Sequence, residues 1–174
     1  MGDFRSLGLF APAPLSRDHD YSGFCSGKQL LDSWLHDMAI YNQMSNYTRT
    51  FVVCDAQNRV KAYYALCAGM ILRKEAGKKL APQGTPNEIP IALLARLAVQ
   101  QELQGKGIGK ALLANALRNA ASASQTVAFR AVVVDAVDEQ AARFYLSVGF
   151  KPTKISPLKL LLPTQDILAS MNGF

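Results

Sequence analysis

A chain of 174 residues, 49% apolar and 18% charged, is long enough to bury a core and too apolar for a disordered class. No apolar run reaches the roughly 18 residues of a membrane span, because Pro90, Arg96, Lys159 and Pro163 interrupt the best candidates, and Met1–Ser16 lacks the pattern of a signal peptide. A cytoplasmic protein with no membrane partner is expected. Cys25, Cys54 and Cys67 show no C-x-x-C spacing, and His19 and His36 are the only histidines, which argues against a disulfide framework or a zinc site. The net charge of +6 fits either a merely soluble basic protein or one that meets a polyanion such as RNA or DNA.

In chain order, Leu7-Gly-Leu-Phe10 ahead of Pro12 and Pro14 reads as an edge strand within residues 4–15. A turn-rich segment, Asp18 to Gly27, leads into an amphipathic helix over Lys28–Gln43, with Leu30, Leu31, Trp34, Leu35, Met38 and Tyr41 as its stripe. Thr48–Cys54, a turn at Asp55–Asn58 and Val60–Cys67 make an antiparallel hairpin whose second strand can run on to Leu72. Residues 73–88 carry Arg73, Lys74, Lys78 and Lys79 against Glu75 alone, with Gly77, Pro82, Gly84 and Pro86, and read as a long basic loop.

Ile89–Val99 is a buried strand holding one charge, Arg96. A glycine-rich connection follows, then a helix from Ile108 to about Ala121 and a strand over Thr126–Val134. Strand, helix and returning strand form a right-handed unit with adjacent parallel strands. Asp138 caps a helix reaching Val148, Gly149 stops it, and Leu158–Leu162 is a final strand ended by Pro163. The chain 1–174 is expected to be one α/β domain.

The informative stretch is Gln104-Gly-Lys-Gly-Ile-Gly109, at a strand-to-helix junction. Glycines let a ligand approach the backbone, and the unpaired amides and helix dipole favour an anion such as a phosphate or pyrophosphate. The P-loop spacing is absent, and Gly105-x-Gly107-x-Gly109 departs from the dinucleotide fingerprint, although Asp135 at the end of the next strand keeps a nucleotide site open.

Gln104-x-x-Gly107-x-Gly109 after Leu97-Ala-Val99, with Ala142-Arg-Phe-Tyr-Leu-Ser-Val-Gly-Phe150 downstream, resembles the GCN5-related N-acetyltransferases (GNAT). That resemblance implies a mixed central sheet, splayed open at an acetyl-CoA site and flanked by helices. It implies that Leu97, Ala98 and Val99 pair with the pantetheine arm, and that Gln104, Gly105, Lys106, Gly107, Ile108, Gly109 and Lys110 surround the pyrophosphate. Tyr145 then corresponds to the tyrosine that protonates the departing CoA thiolate; its reference pKa of ~10 against ~8.5 for a thiol makes the transfer modestly uphill. Asp138 stands where many members carry Asn.

A wider pattern is similar to the acetyltransferase toxins of toxin–antitoxin pairs, the TacT and AtaT type. It comprises His19-Asp20, Phe24-x-x-Gly27, Leu31-x-x-Trp34-Leu35, Tyr63-Tyr-Ala-Leu66, Ala95–Val99 and Pro157-Leu-x-Leu160. This resemblance implies acetylation of the α-amino group of aminoacyl-tRNA and a block of translation. It also implies a ribbon-helix-helix antitoxin as partner, DNA contact and promoter repression only through the antitoxin complex, and a homodimer. Arg73, Lys74, Lys78 and Lys79 are then candidates for acceptor-stem phosphates and Arg96 for the acceptor cleft; a solvated loop and a buried ion pair are the plainer roles. No dedicated base stands out, His36, Asp135 and Glu102 being positional guesses, so orientation of the amine and an amide contact from the 97–99 strand carry the expected catalysis. An acetyltransferase for a small amine or a protein amino group needs the same loop and tyrosine without the basic patch.

Overall fold

The computed structural model describes residues 3–172. Seven strands form one mixed, open sheet in the order β1-β2-β3-β4-β5-β7-β6, with six α-helices among the described residues. Two compact units share it: one runs through Cys67 and adds Ala95–Ala116, the other takes Ala68–Leu94 and the chain from Leu117 onward.

In the first unit, β1 (Ala13–Pro14) pairs antiparallel with β2 (Arg49–Cys54), which pairs antiparallel with β3 (Val60–Leu72). The apolar run before the prolines does not itself form the expected edge strand. Arg5–Leu7 makes a 3-10 turn closed by Gly8 at φ +70°, Phe10 N donates to Cys54 O at 2.9 Å, and the paired strand itself is Ala13–Pro14. Across the hairpin, Phe51 and Tyr64 are register partners and their rings stack at 5.0 Å. The hairpin expectation holds, including the extension of its second strand to Leu72.

The amphipathic helix is broken into α1 (Gln29–Asp37) and α2 (Ala39–Met44) at Met38, whose φ of −120° leaves the helical region. Of the expected stripe, Leu31 and Leu35 are buried and Trp34 is half-buried, whereas Leu30, Met38 and Tyr41 are exposed; Ala39, outside that stripe, also faces the core. Tyr63 of β3, fully buried, anchors this core. Its hydroxyl donates to Leu31 O at 2.6 Å, Trp34 stacks on its ring at 6.0 Å, and Phe24 meets it edge-on.

β4 (Glu88–Val99), whose part up to Leu94 belongs to the second unit, runs parallel there to β5 (Ala131–Asp135), in register from Ile91↔Ala131 to Leu94↔Val134. β6 (Lys151–Pro152) and β7 (Lys159–Pro163) follow, with β7 antiparallel to β5 and β6 antiparallel to β7. Ala131 to Val134 are all buried, as a strand with neighbours on both sides and covered faces requires. The strand begins five residues later than expected: the amides of Thr126 and Val127 instead bond Ala123 O and finish the preceding helix.

Two helices depart from the sequence reading. The basic segment 73–88 opens with α3 (Arg73–Leu80) rather than remaining a loop. Glu75 reaches back to accept from the Leu72 amide, closing the helix start, and Gly77 at φ +79° kinks it midway. β7 ends at Pro163 as expected, but the chain then enters a helix at Thr164, whose hydroxyl donates to Phe129 O. The other two helices lie where expected: α4 (Ile108–Ala123) and α5 (Glu139–Ser147), with α6 (Thr164–Asn172) the unexpected sixth. None is long and apolar enough to cross a membrane among the described residues.

Candidate active site

The junction is built from the end of β4 outward. Ala98 and Val99 are buried, and Gln100 folds back against β3 through its amide, which donates to Lys61 O at 2.8 Å. A 3-10 turn, Gln101–Leu103, carries the chain to Gln104. The Gln104 side chain points back into the fold, where its Nε2 donates to Val99 O at 2.9 Å and to Ser26 O at 2.7 Å. Both amide hydrogens are therefore used internally, and Gln104 holds the loop instead of reaching into the space beyond it.

Beyond Gln104 the backbone turns through Gly105 at φ +74° and Gly107 at φ +83°. A side chain at Gly105 would meet no atom within 4 Å, so the glycine answers to the left-handed backbone and not to crowding. The first helical bond of α4 runs from Ala111 N to Gly107 O at 3.1 Å. Among the described residues, the amides of Gly105, Lys106, Gly107, Ile108, Gly109 and Lys110 have no backbone acceptor outside the helix's own ladder. A run of free amides opening a 16-residue helix, with Lys106 and Lys110 exposed beside it, fits a pyrophosphate. Ile108, 1% exposed, pins the first turn to the core.

Tyr145 lies on α5. Asp138 caps that helix by accepting from Ala141 N at 2.9 Å, and Gly149 at φ +103° ends it. The tyrosine ring is 5% exposed and wedged edge-on between Phe144 at 5.2 Å and Phe150 at 5.5 Å. Its hydroxyl has no hydrogen-bond partner among the described residues. Burial pushes its pKa upward, so the group stays a neutral proton donor.

Arg96 does not make the buried ion pair considered for it in the sequence. Its guanidinium lies over the Trp34 ring, 5.2 Å from the centroid, and donates to Ala95 O. It forms no ion pair among the described residues. Arg73, Lys74, Lys78 and Lys79 are all exposed on α3, with Arg73 donating to Thr85 O at 2.9 Å. Lys154 joins them from elsewhere in the chain: its amide bonds Glu75 O, and its Cε lies 3.5 Å from where a Gly77 side chain would begin. The sequence held no signal for that neighbour, nor for Ser26 as the partner of Gln104. Of the three cysteines, Cys54 is buried with its thiol pushed up to about 11 by desolvation, and Cys25 is exposed. Among the described residues no cluster of three or more His, Cys, Asp or Glu side chains is arranged to hold a metal.

The model of the acetyltransferase (GNAT) domain matches residues 46–152, from just before β2 to the end of β6. A tRNA-acetylating toxin of Mycobacterium tuberculosis (strain ATCC 25618 / H37Rv) is 33% identical over 162 residues, spanning 93% of this chain and 96% of that protein. Among solved structures, AtaT complexed with acetyl-methionyl-tRNAfMet is similar with a TM-score of 0.84 at 29% identity, covering 94% of this chain and 99% of that one. A tyrosine-to-phenylalanine mutant of KacT gives 0.87 at 25% identity, with 94% and 99% covered. AtaTR bound with AcCoA gives 0.79 at 29%, with 94% and 98% covered. A cradle of free amides at the mouth of α4, a neutral buried tyrosine on α5 and a family match across both make the chain an N-acetyltransferase of the GNAT family.

Proposed function

We propose that this chain transfers the acetyl group of acetyl-CoA to the α-amino group of an aminoacyl-tRNA and so blocks translation. The observation that carries the reading is the near full-length likeness to a tRNA-acetylating toxin, 33% identical over 93% of the chain. The exposed basic side chains of α3 support it, since phosphate contacts of this kind hold an RNA without reading its sequence.

In this reading the chain acts as one domain. Leu97, Ala98 and Val99 offer strand backbone to the pantetheine arm. The amides of Gly105, Lys106, Gly107, Ile108, Gly109 and Lys110 take the pyrophosphate, while Gln104 keeps them in place. Acetyl-CoA supplies an activated thioester; the chain supplies orientation, exclusion of water and a proton. Tyr145 holds that proton on its hydroxyl and passes it to the departing thiolate sulfur. The amine of an aminoacyl ester titrates below the free α-amino reference of ~8, so much of it is neutral near pH 7–8 and attacks without a dedicated base; the proton that the nitrogen sheds on becoming an amide passes to solvent, from which the Tyr145 hydroxyl is restored. Arg73, Lys74, Lys78 and Lys79, now with Lys154, meet acceptor-stem phosphates. Arg96, held on Trp34, presents charge at the acceptor side of β4.

A ribbon-helix-helix antitoxin neutralises the chain, and contact with DNA comes only through that complex, in the cytoplasm. The neighbouring AtaT has been solved bound to the C-terminus of the antitoxin AtaR, and the AtaT–AtaR complex bound to DNA. The exposed Leu30, Met38, Tyr41 and Met44 give this chain apolar surface for a partner chain, the antitoxin or a second copy in a homodimer. Incubation with labelled acetyl-CoA and total charged tRNA, beside polyamines and peptides, tests the reading. Label on the RNA supports it; label on the small amines or peptides alone replaces it with the small-substrate acetyltransferase.

A further inference from the structure

The glycine-rich loop is fastened to the segment Cys25–Gly27 by contacts from successive residues. Cys25 N donates to Gln100 Oε1 at 3.0 Å, and Cys25 O accepts from Gln101 N at 2.9 Å. Ser26 O accepts from Gln104 Nε2 at 2.7 Å, across 78 positions of sequence. Gly27, at φ +84°, brings its backbone against the Gln101 amide, where an added side chain would start 3.4 Å from Nε2. The opposite side of this strap is tied to α1. Ser26 N and Ser26 Oγ both donate to one carboxylate oxygen of Asp32, at 2.9 and 2.6 Å. Ser26 is 4% exposed, so these are bonds to a charged acceptor at a site largely withdrawn from water.

We infer that Asp32 and Ser26 are positioning residues for the pyrophosphate end of the acyl donor: the carboxylate fixes the strap, the strap fixes Gln104, and Gln104 fixes the start of the amide run. The inference rests on the acyl-donor assignment of the Gly105–Lys110 loop. The physical reason is pre-organisation. A loop with two left-handed glycines has many conformations, and aligning its amides on an anion costs conformational entropy unless the fold has already ordered them. Gln104 is the last residue before the free amides, and both of its side-chain donors are spent on carbonyls, one from β4 and one from the strap. Loosening the strap therefore lowers affinity for the part of the ligand that the amides grip, and leaves affinity for the remainder alone.

The test compares Kd values for CoA and for pantetheine, which lacks the pyrophosphate and nucleotide, by isothermal titration of the full chain. Asp32→Ala, which removes both bonds, is expected to weaken CoA about tenfold, the scale of one charge-assisted bond, and to leave pantetheine unchanged. Ser26→Ala, which keeps the amide bond to Asp32 but loses the hydroxyl's bonds to Asp32 and to the Lys28 backbone, falls between, and serves alone if Asp32→Ala does not fold. Asp32→Asn keeps an acceptor oxygen in the same place and restores CoA affinity to within about threefold. Equal weakening of CoA and pantetheine, or undiminished CoA affinity in Asp32→Ala and Ser26→Ala, overturns the inference. If the unmodified chain binds CoA no more tightly than pantetheine, the anion assignment of the loop fails first, and the inference with it.

Discussion

Replacing Tyr145 with phenylalanine removes one oxygen and leaves the ring between Phe144 and Phe150. Each edge-on ring contact contributes roughly 0.5–1.5 kcal/mol beyond burial, and both survive the change. The hydroxyl has no partner among the described residues, so no hydrogen bond is lost with it. Stability is therefore expected to change by less than about 0.5 kcal/mol, or roughly 2 °C in Tm for a domain of this size. Activity is expected to fall far more. A positioned proton donor contributes about 10²–10⁴-fold, roughly 3–5 kcal/mol of barrier. The pH dependence has a definite sign. Burial raises the folded-state pKa above the unfolded value of ~10, so the group's contribution to stability is complete below about pH 10 and is lost above it as the unfolded chain ionises. The donor thus stays protonated from pH 6 to about 9, and the rate shows no alkaline decline from Tyr145 in that range. The assay is release of free CoA thiol at saturating acetyl-CoA, paired with thermal unfolding of both proteins. A phenylalanine variant within threefold of the parent rate would refute the proton-donor role. A drop in Tm of more than about 5 °C would show that the hydroxyl is structural, and the rate loss would then carry no mechanistic weight.

Other outcomes follow from single contacts. Lys74→Ala, Lys78→Ala, Lys79→Ala and Lys154→Ala should each flatten the salt dependence of tRNA binding by nearly one unit of slope where the lysine meets a phosphate; slopes identical to the parent in all four would remove α3 from the RNA interface. Asp138→Ala loses the cap of α5, with an expected cost of about 1 kcal/mol and a Tm lower by roughly 2–4 °C; an unchanged Tm would show that the cap contributes nothing. The Arg96–Trp34 pair should show a coupling of about 0.5–1 kcal/mol in a double-mutant cycle with Arg96→Met and Trp34→Leu, and a value indistinguishable from zero would mean that the two side chains are merely adjacent.

Much of the architecture was legible because its causes are local in sequence. The β2–β3 hairpin follows from β-branched and aromatic runs around Asp55–Asn58, and α5 from Asp138 at one end and Gly149 at the other. The cradle was visible because left-handed backbone at Gly105 and Gly107 demands glycine, and a strand-to-helix junction leaves amides unpaired. The sequence therefore determined the sheet hairpin, the parallel β4–α4–β5 unit and the glycine-rich loop with its unpaired amides, while the tyrosine entered by family likeness and not by spacing.

What tertiary structure decided is of a different kind. Whether Arg73–Leu80 coils depends on Glu75 reaching the Leu72 amide against a glycine that resists helix, a balance that composition alone places in a loop. Where the N-terminal helix breaks depends on which of Leu31, Leu35, Leu30 and Met38 the core accepts. Arg96 finds the face of an indole 62 positions earlier in the chain, and Gln104 a carbonyl 78 positions earlier. Periodicity and capping act over a few residues, so they cannot choose between a glutamine that points at a ligand and one that points home. The carbonyl that holds it belongs to Ser26, itself bonded to Asp32, and Ser26 meets the loop only once the chain has folded.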